Sequence, residues 1–250
     1  MIENHLNTWR ITTHSRLKAE LCSLTDEHIS QSLWRLRKRR KVVSLKVGNE
    51  WYHFDASMKR RAEALRELSA DERDVSFSSW GMQHHLQVID LGIRLKYQFP
   101  EHQITPNLFS EHHSFTQGSL GLGNKKYAPD LIVAPAFGTQ ECIYIEVERT
   151  MKSEARYLDR WLAFEGDPHV SLCLYWITDR RLAARLQDFA IKYFQGSRVE
   201  LGFTLGFAVS DSSETLRSTP VYIYGSNFSE RRMDLHEVLS PKNLKTGGRG

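Results

Sequence analysis

The sequence predicts an α/β protein: a mixed central sheet flanked by helices, preceded by a small N-terminal unit of helices and a hairpin. Three observations carry that expectation. Between 75 and 240, apolar runs with strand character alternate with segments whose apolar residues recur at helical spacing. Before 57, helical patterns are followed by two short strand patterns around Gly48-Asn49-Glu50, a turn signal. The composition is that of an ordinary globular chain, 40% hydrophobic and 26% charged over 250 residues, enough to bury a core.

The N-terminal unit is expected over 1–56. Segment 13–24 reads as a helix with Leu17, Leu21 and Leu24 on one side. Thr25 offers an N-cap, with His28 three residues on in place of the Glu of a full capping box. The next helix, 26–41, carries Ile29, Leu33 and Leu36 on its apolar face. Strands follow over 42–47 and 51–54. Helices followed by a basic helix and a two-stranded hairpin are the order of a winged helix-turn-helix. A charged helical segment over 59–73, with Ala62, Leu65 and Leu68 on one face, reads as a linker helix within 57–74.

The second domain is expected over 75–240. Met82, Leu86, Ile89 and Ile93 fall at helical spacing across 80–97. Loop and strand follow over 99–113. A glycine-rich loop over 118–124 ends in Lys125 and Lys126. Strands are expected over 127–134 and 141–147, joined by a turn through 135–140. A helix over 150–164 should point Tyr157, Leu158, Trp161 and Leu162 inward. A strongly apolar strand covers 171–177. A helix over 179–194 buries Leu182, Leu186 and Phe189, and short strands lie at 204–209 and 221–224. The order is α-β-β-β-α-β-α-β. The Lys/Gly-rich tail, 241–250, is expected to be disordered.

Several function classes are disfavoured. Cys22, Cys142 and Cys173 are far apart and form no CxxC pair, so neither a zinc site nor a disulfide framework is expected, and reduced thiols in a cytoplasmic protein are the simple reading. Residues 1–10 lack an apolar signal core, and the longest apolar stretches are too short to span a bilayer. The net charge of +4 is modest; what matters is where the basic residues lie.

The sharpest chemical signal is acidic. Pro129-Asp130 lies at the start of one strand, Glu146-Val147-Glu148 ends the next, and Lys152 follows. Strand residues two apart share a face, so Glu146 and Glu148 project together. If the two strands pair as a hairpin, Asp130 joins them. Three adjacent carboxylates repel, and Mg²⁺ or Mn²⁺, which prefer hard oxygen ligands, would relieve that cost. Such a metal polarises a phosphodiester and supplies hydroxide, while Lys152 would orient the water or neutralise the transition state. An ExE pair alone is common on exposed strands; the Pro-Asp and the lysine give it weight.

These residues resemble the PD-(D/E)xK nuclease superfamily over roughly residues 80–210. The chain departs from the usual pattern, because Glu148 stands where the superfamily's lysine would and Lys152 lies four residues further on. A closer resemblance is to the MobC-type plasmid relaxases and related replication-relaxation proteins, which pair a winged helix with a nuclease-like domain. That resemblance implies roles for His84, Glu111, Asp130, Glu146, Glu148 and Lys152, with Glu111 as a further metal ligand. It implies site- and strand-specific nicking at a plasmid transfer origin, with double-stranded DNA as substrate and an accessory mobilisation or coupling protein as a further partner. No His-hydrophobe-His pair of the tyrosine relaxases is present, although Tyr144 and Tyr157 lie near the cluster in sequence and leave a covalent step open.

The second signal is basic. Six of the seven residues after Trp34 are cationic: Arg35, Arg37, Lys38, Arg39, Arg40 and Lys41. They are expected to meet DNA phosphates or enter a major groove, with Lys46 and Trp51 on the wing. Two rivals remain. One is a DNA-binding regulator with an inactive nuclease fold; the other is a restriction or transposon-type endonuclease.

Overall fold

A computed structural model describes residues 1–69, 71–72, 82–106, 129–135, 141–177, 179–193, 199–205, 216–224 and 230–240. The chain divides into two compact units, Met1–Ile93 and Arg94–Gly250.

In the first unit the order is α1 (Ile2–Trp9), β1 (Ile11–Thr13), α2 (His14–Glu20), α3 (Asp26–Lys38), β2 (Val42–Val47), β3 (Glu50–Asp55) and α4 (Lys59–Glu67). The strands form an antiparallel sheet in the order β1-β3-β2. Ile2, Leu6, Leu17, Ile29, Leu33, Leu36 and Val42 make a common core. α1 and β1 are absent from the expected elements, although Ile2, Leu6 and Trp9 stand at i, i+4 and i+7 and are all buried. Thr25 caps α3 as expected, its side chain accepting from the His28 N–H.

The basic helix stops earlier than 41. Lys38 is its last residue, and Arg40 takes a left-handed φ of 57°. The Lys41 N–H reaches the Leu36 carbonyl and the Arg40 N–H the Arg37 carbonyl, a Schellman termination that turns the chain into β2. Arg39, Arg40 and Lys41 therefore belong to this turn and not to the helix. α4 packs against β2 and β3, with Ala62 and Leu65 buried.

Helix α5 (Met82–Gln98) carries the boundary between the units. In the second unit follow β4 (His102–Pro106), β5 (Leu131–Pro135), β6 (Cys142–Glu148), α6 (Glu154–Glu165), β7 (Val170–Ile177), α7 (Arg180–Tyr193), β8 (Glu200–Leu205), β9 (Pro220–Tyr224), β10 (Glu230–Asp234) and the short α8 (Leu235–Val238). The strands form one seven-stranded sheet in sequence order from β10 to β4. β6, β7 and β8 are mutually parallel, and the outer pairs are antiparallel. The α/β class and the mixed sheet agree with the sequence reading. The strand expected at 204–209 begins earlier, at Glu200, and β10 adds a strand that was not anticipated.

α6 and α7 are the crossovers between parallel strands, and both pack on one sheet face. Tyr157, Trp161 and Phe164 of α6 and Leu182, Leu186 and Ala190 of α7 share a cluster with Cys142, Tyr144, Cys173, Tyr175 and Ile177 of the sheet. Leu162 does not point inward; it is 69% exposed. Positions 157, 161 and 164 define the inward face, and a residue five beyond Tyr157 lies on the far side of the helix. The glycine-rich loop, Lys125, Lys126, Glu111 and the tail 241–250 lie outside the described residues.

Candidate functional site

β6 places Tyr144, Glu146 and Glu148 on the face covered by α6. The two glutamates end the strand and are each only 2% exposed. β5 pairs antiparallel with β6, Leu131 opposite Ile145, so one step further brings Asp130 level with Glu146. The Val147 N–H donates to Asp130 Oδ2 at 2.8 Å, pinning that carboxylate to the strand. The site therefore lies at the carboxyl end of a parallel strand, the usual ligand-binding edge of an open α/β sheet.

Two cations meet the buried carboxylates. Lys152 Nζ donates to Glu148 Oε2 at 2.7 Å. Lys152 lies in the connection between β6 and α6, because the helix expected from 150 starts at Glu154. The Lys152 N–H also donates to the Tyr157 hydroxyl at 3.1 Å. Arg160 Nη1 donates to Glu146 Oε2 at 2.6 Å. Arg160 was not among the sequence candidates. The signal for it was available: 157, 160, 161 and 164 stand at i, i+3, i+4 and i+7, so a cation shares the apolar face of α6.

The electrostatics follow from burial. Desolvation pushes the Glu146 carboxyl up to about 8, opposed by the Arg160 guanidinium and reinforced by Asp130 and Glu148. Burial pushes the Arg160 guanidinium the other way, and the Glu146 and Asp130 charges outweigh it and hold it protonated. Glu146 Oε1 and Arg160 Nε are buried without a hydrogen-bond partner. A carboxylate oxygen left in that position is costly unless something binds it.

The donor chemistry suits a hard divalent cation, with Asp130, Glu146 and Glu148 as oxygen ligands. Each carboxylate is nonetheless turned toward another partner, and among the described residues no group of three His, Cys, Asp or Glu side chains is gathered in a ready ligand set.

The structure thus brings Asp130, Glu146, Glu148 and Lys152 together and adds Arg160. His84 sits half-buried in the first turn of α5, within the first unit, its ring edge-on to His85 at 5.7 Å. The two tyrosines near the cluster are engaged. The Tyr144 hydroxyl donates to Asp167 Oδ2 at 2.7 Å. The Tyr157 hydroxyl is held by Lys152, and burial raises both phenols above their usual range.

In the first unit the basic residues divide. Lys41 is ion-paired with Glu3 of α1. Trp34, Arg37 and Lys38 stand at i, i+3 and i+4 on α3, away from Ile29, Leu33 and Leu36. Lys38 Nζ lies 5.4 Å from the Trp34 ring centroid. Lys46 and Trp51 pair directly across the β2–β3 hairpin, both exposed. His53, two residues from Trp51 on the same face, is bonded to Ser44 at 2.9 Å and held down to about 4 by burial, with His14 and Arg37 adding to the shift.

Among the described residues no helix is long and apolar enough to cross a membrane. Against known proteins, no family model, no curated protein and no solved structure matches this chain.

Proposed function

We propose that the protein is a metal-dependent DNA endonuclease that nicks one strand at a plasmid transfer origin to start conjugative mobilisation in the cytoplasm. In this reading the first unit is a winged helix that holds duplex DNA, and the second carries a PD-(D/E)xK-like nuclease core. The observation that carries it is the burial of Glu146 and Glu148 beside Asp130 at one strand end, with Glu146 Oε1 left without a partner. The α-β-β-β-α-β order from α5 to β7 supports the core assignment. The helix-strand-helix-helix-hairpin order of the first unit supports the winged helix.

Asp130 and Glu146 would hold Mg²⁺ or Mn²⁺, with Glu148, and with Glu111 as the resemblance implies. When bound, the metal polarises the scissile phosphate and lowers the pKa of a water. The chain's own groups do the rest. Glu148 holds the Lys152 ammonium at 2.7 Å, in place to neutralise charge that develops on the phosphate. Arg160 steadies Glu146 through its 2.6 Å hydrogen bond. An accessory mobilisation or coupling protein would use the nicked product.

A supercoiled-plasmid assay tests this, with a plasmid carrying the native replicon's transfer origin, with and without Mn²⁺ or Mg²⁺. The expected result is metal-dependent conversion to open circles, lost in Asp130→Ala and reduced in Lys152→Ala. Linear product would favour the restriction or transposon-type reading.

One observation favours a second reading. Arg160 and Lys152 already neutralise Glu146 and Glu148, as they would in a DNA-binding regulator with an inactive nuclease fold. Salt-sensitive DNA binding without cleavage, equal in wild type and Asp130→Ala, would establish that alternative.

A further inference from the structure

Most tryptophans are placed in protein interiors, yet two in the first unit are half-exposed: Trp34 at 54% and Trp51 at 49%. Both stand among cations. Trp34 shares a helix face with Arg37 and Lys38, and Trp51 faces Lys46 across the hairpin. α3 packs against β2, and the Arg37 charge acts on His53, which lies beside Trp51 on the same strand face. Val42, four residues before Lys46 on that same sheet face, packs in the core with Leu33 and Leu36 of α3, so the two aromatic positions lie on the α3 side of the hairpin among these cations. A duplex offers such a surface phosphates and groove edges but hides the flat faces of its bases in the stack. An unpaired strand offers both phosphates and base faces, the combination that exposed indoles interleaved with cations recognise.

We propose that this surface binds an unpaired DNA strand, with Trp34 and Trp51 stacking on bases and Arg37, Lys38 and Lys46 meeting phosphates. The inference rests on the reading of DNA as the ligand and deepens it: the first unit would hold a melted strand as well as, or in preference to, a duplex. It does not depend on nuclease activity.

The test is tryptophan fluorescence of the full chain in chelator, so that no cleavage intervenes. The probes are oligo(dT) of about 12 nucleotides, near the usual site size for one module, and a duplex of equal length. The expected result is quenching by oligo(dT). Trp34→Ala and Trp51→Ala should each weaken oligo(dT) binding by about 5- to 150-fold, the range for losing one base stack, and Trp34→Ala should leave duplex binding within about twofold. Trp34→Phe and Trp51→Phe, which keep a ring, should recover much of the loss. Because both side chains are exposed, thermal melting should be unchanged in all four variants. Oligo(dT) affinity that is unchanged in both alanine variants would overturn the inference, as would equal loss of duplex binding in Trp34→Ala. Tighter binding of oligo(rU) than oligo(dT) would overturn the assignment to DNA. Tight duplex binding with no oligo(dT) quenching sinks only this inference, whereas absence of binding to either DNA sinks the DNA reading with it.

Discussion

The two units handle charge in opposite ways. In the first, Arg35, Arg37, Lys38, Arg39 and Arg40 stand in water around the end of α3. In the second, Glu146 and Glu148 are driven under α6 and met there by Arg160 and Lys152. Exposed charge is cheap to hold and acts at a distance, screened by salt over about 8–10 Å at ordinary ionic strength. Buried charge is expensive, and removing one member of a buried pair leaves the other stranded. Each unit is therefore vulnerable in its own way. The basic surface should tolerate single losses and lose affinity by degrees. The acidic site should fail abruptly, in activity or in folding, when one member goes.

The largest effect should come from Asp130→Ala, which removes a proposed ligand. Plasmid nicking should fall by at least about 100-fold, since even outer partners of a metal site are commonly worth about 10–100-fold. A variant that nicks like wild type would break the contrast at its acidic end. Next is Arg160→Met. At pH 9, where Glu146 is ionised, stranding it should lower unfolding free energy by about 3–5 kcal/mol in a denaturant titration. Adding Glu146→Leu should restore most of it, because an apolar pair in place of a buried ion pair is often neutral or better. If the double variant is no more stable than the single, the pair is not acting as a buried unit.

Within the first unit, His53 is a buried titrating group among exposed cations. Its folded value, about 4, lies below the ordinary 6.5. The neutral ring is therefore favoured in the folded state. Its contribution to stability is fully present above pH 6.5 and is lost as pH falls toward 4, amounting to about 3 kcal/mol. His53→Gln should flatten that acid dependence in pH-dependent melting; an unchanged slope would place its origin elsewhere. The smallest effect on stability should be that of Arg37→Ala, within about 0.5 kcal/mol. It should still weaken DNA binding regardless of sequence and reduce the salt slope by about one. Loss of folding there would erase the distinction between the two charge clusters.

Much of the fold was legible because the periodicities are strong. Ile29, Leu33 and Leu36 marked α3, and Tyr157 and Trp161 the buried face of α6, where Phe164 takes the inward place expected of Leu162. α1 was overlooked in a short polar segment, although Ile2, Leu6 and Trp9 carried its spacing. The end of α3 was misplaced because Arg39, Arg40 and Lys41 suit a helix by propensity, and the left-handed turn at Arg40 is set by the need to enter β2. Likewise, Lys152 reads as helical by composition but lies before the helix, where it holds Glu148.

The sequence by itself determined the α/β class, the shared face of Glu146 and Glu148, and the density of cations after Trp34. Each follows from local spacing, and local spacing is set by the geometry of a strand or a helix turn. The tertiary structure decided what those groups meet. The β5–β6 register brought Asp130 level with Glu146. The crossover between β6 and β7 laid α6 over the carboxylates and delivered Arg160. Burial under that helix, and no property of the residues alone, is what raises Glu146 and turns a common ExE pair into a site that needs a proton or a cation.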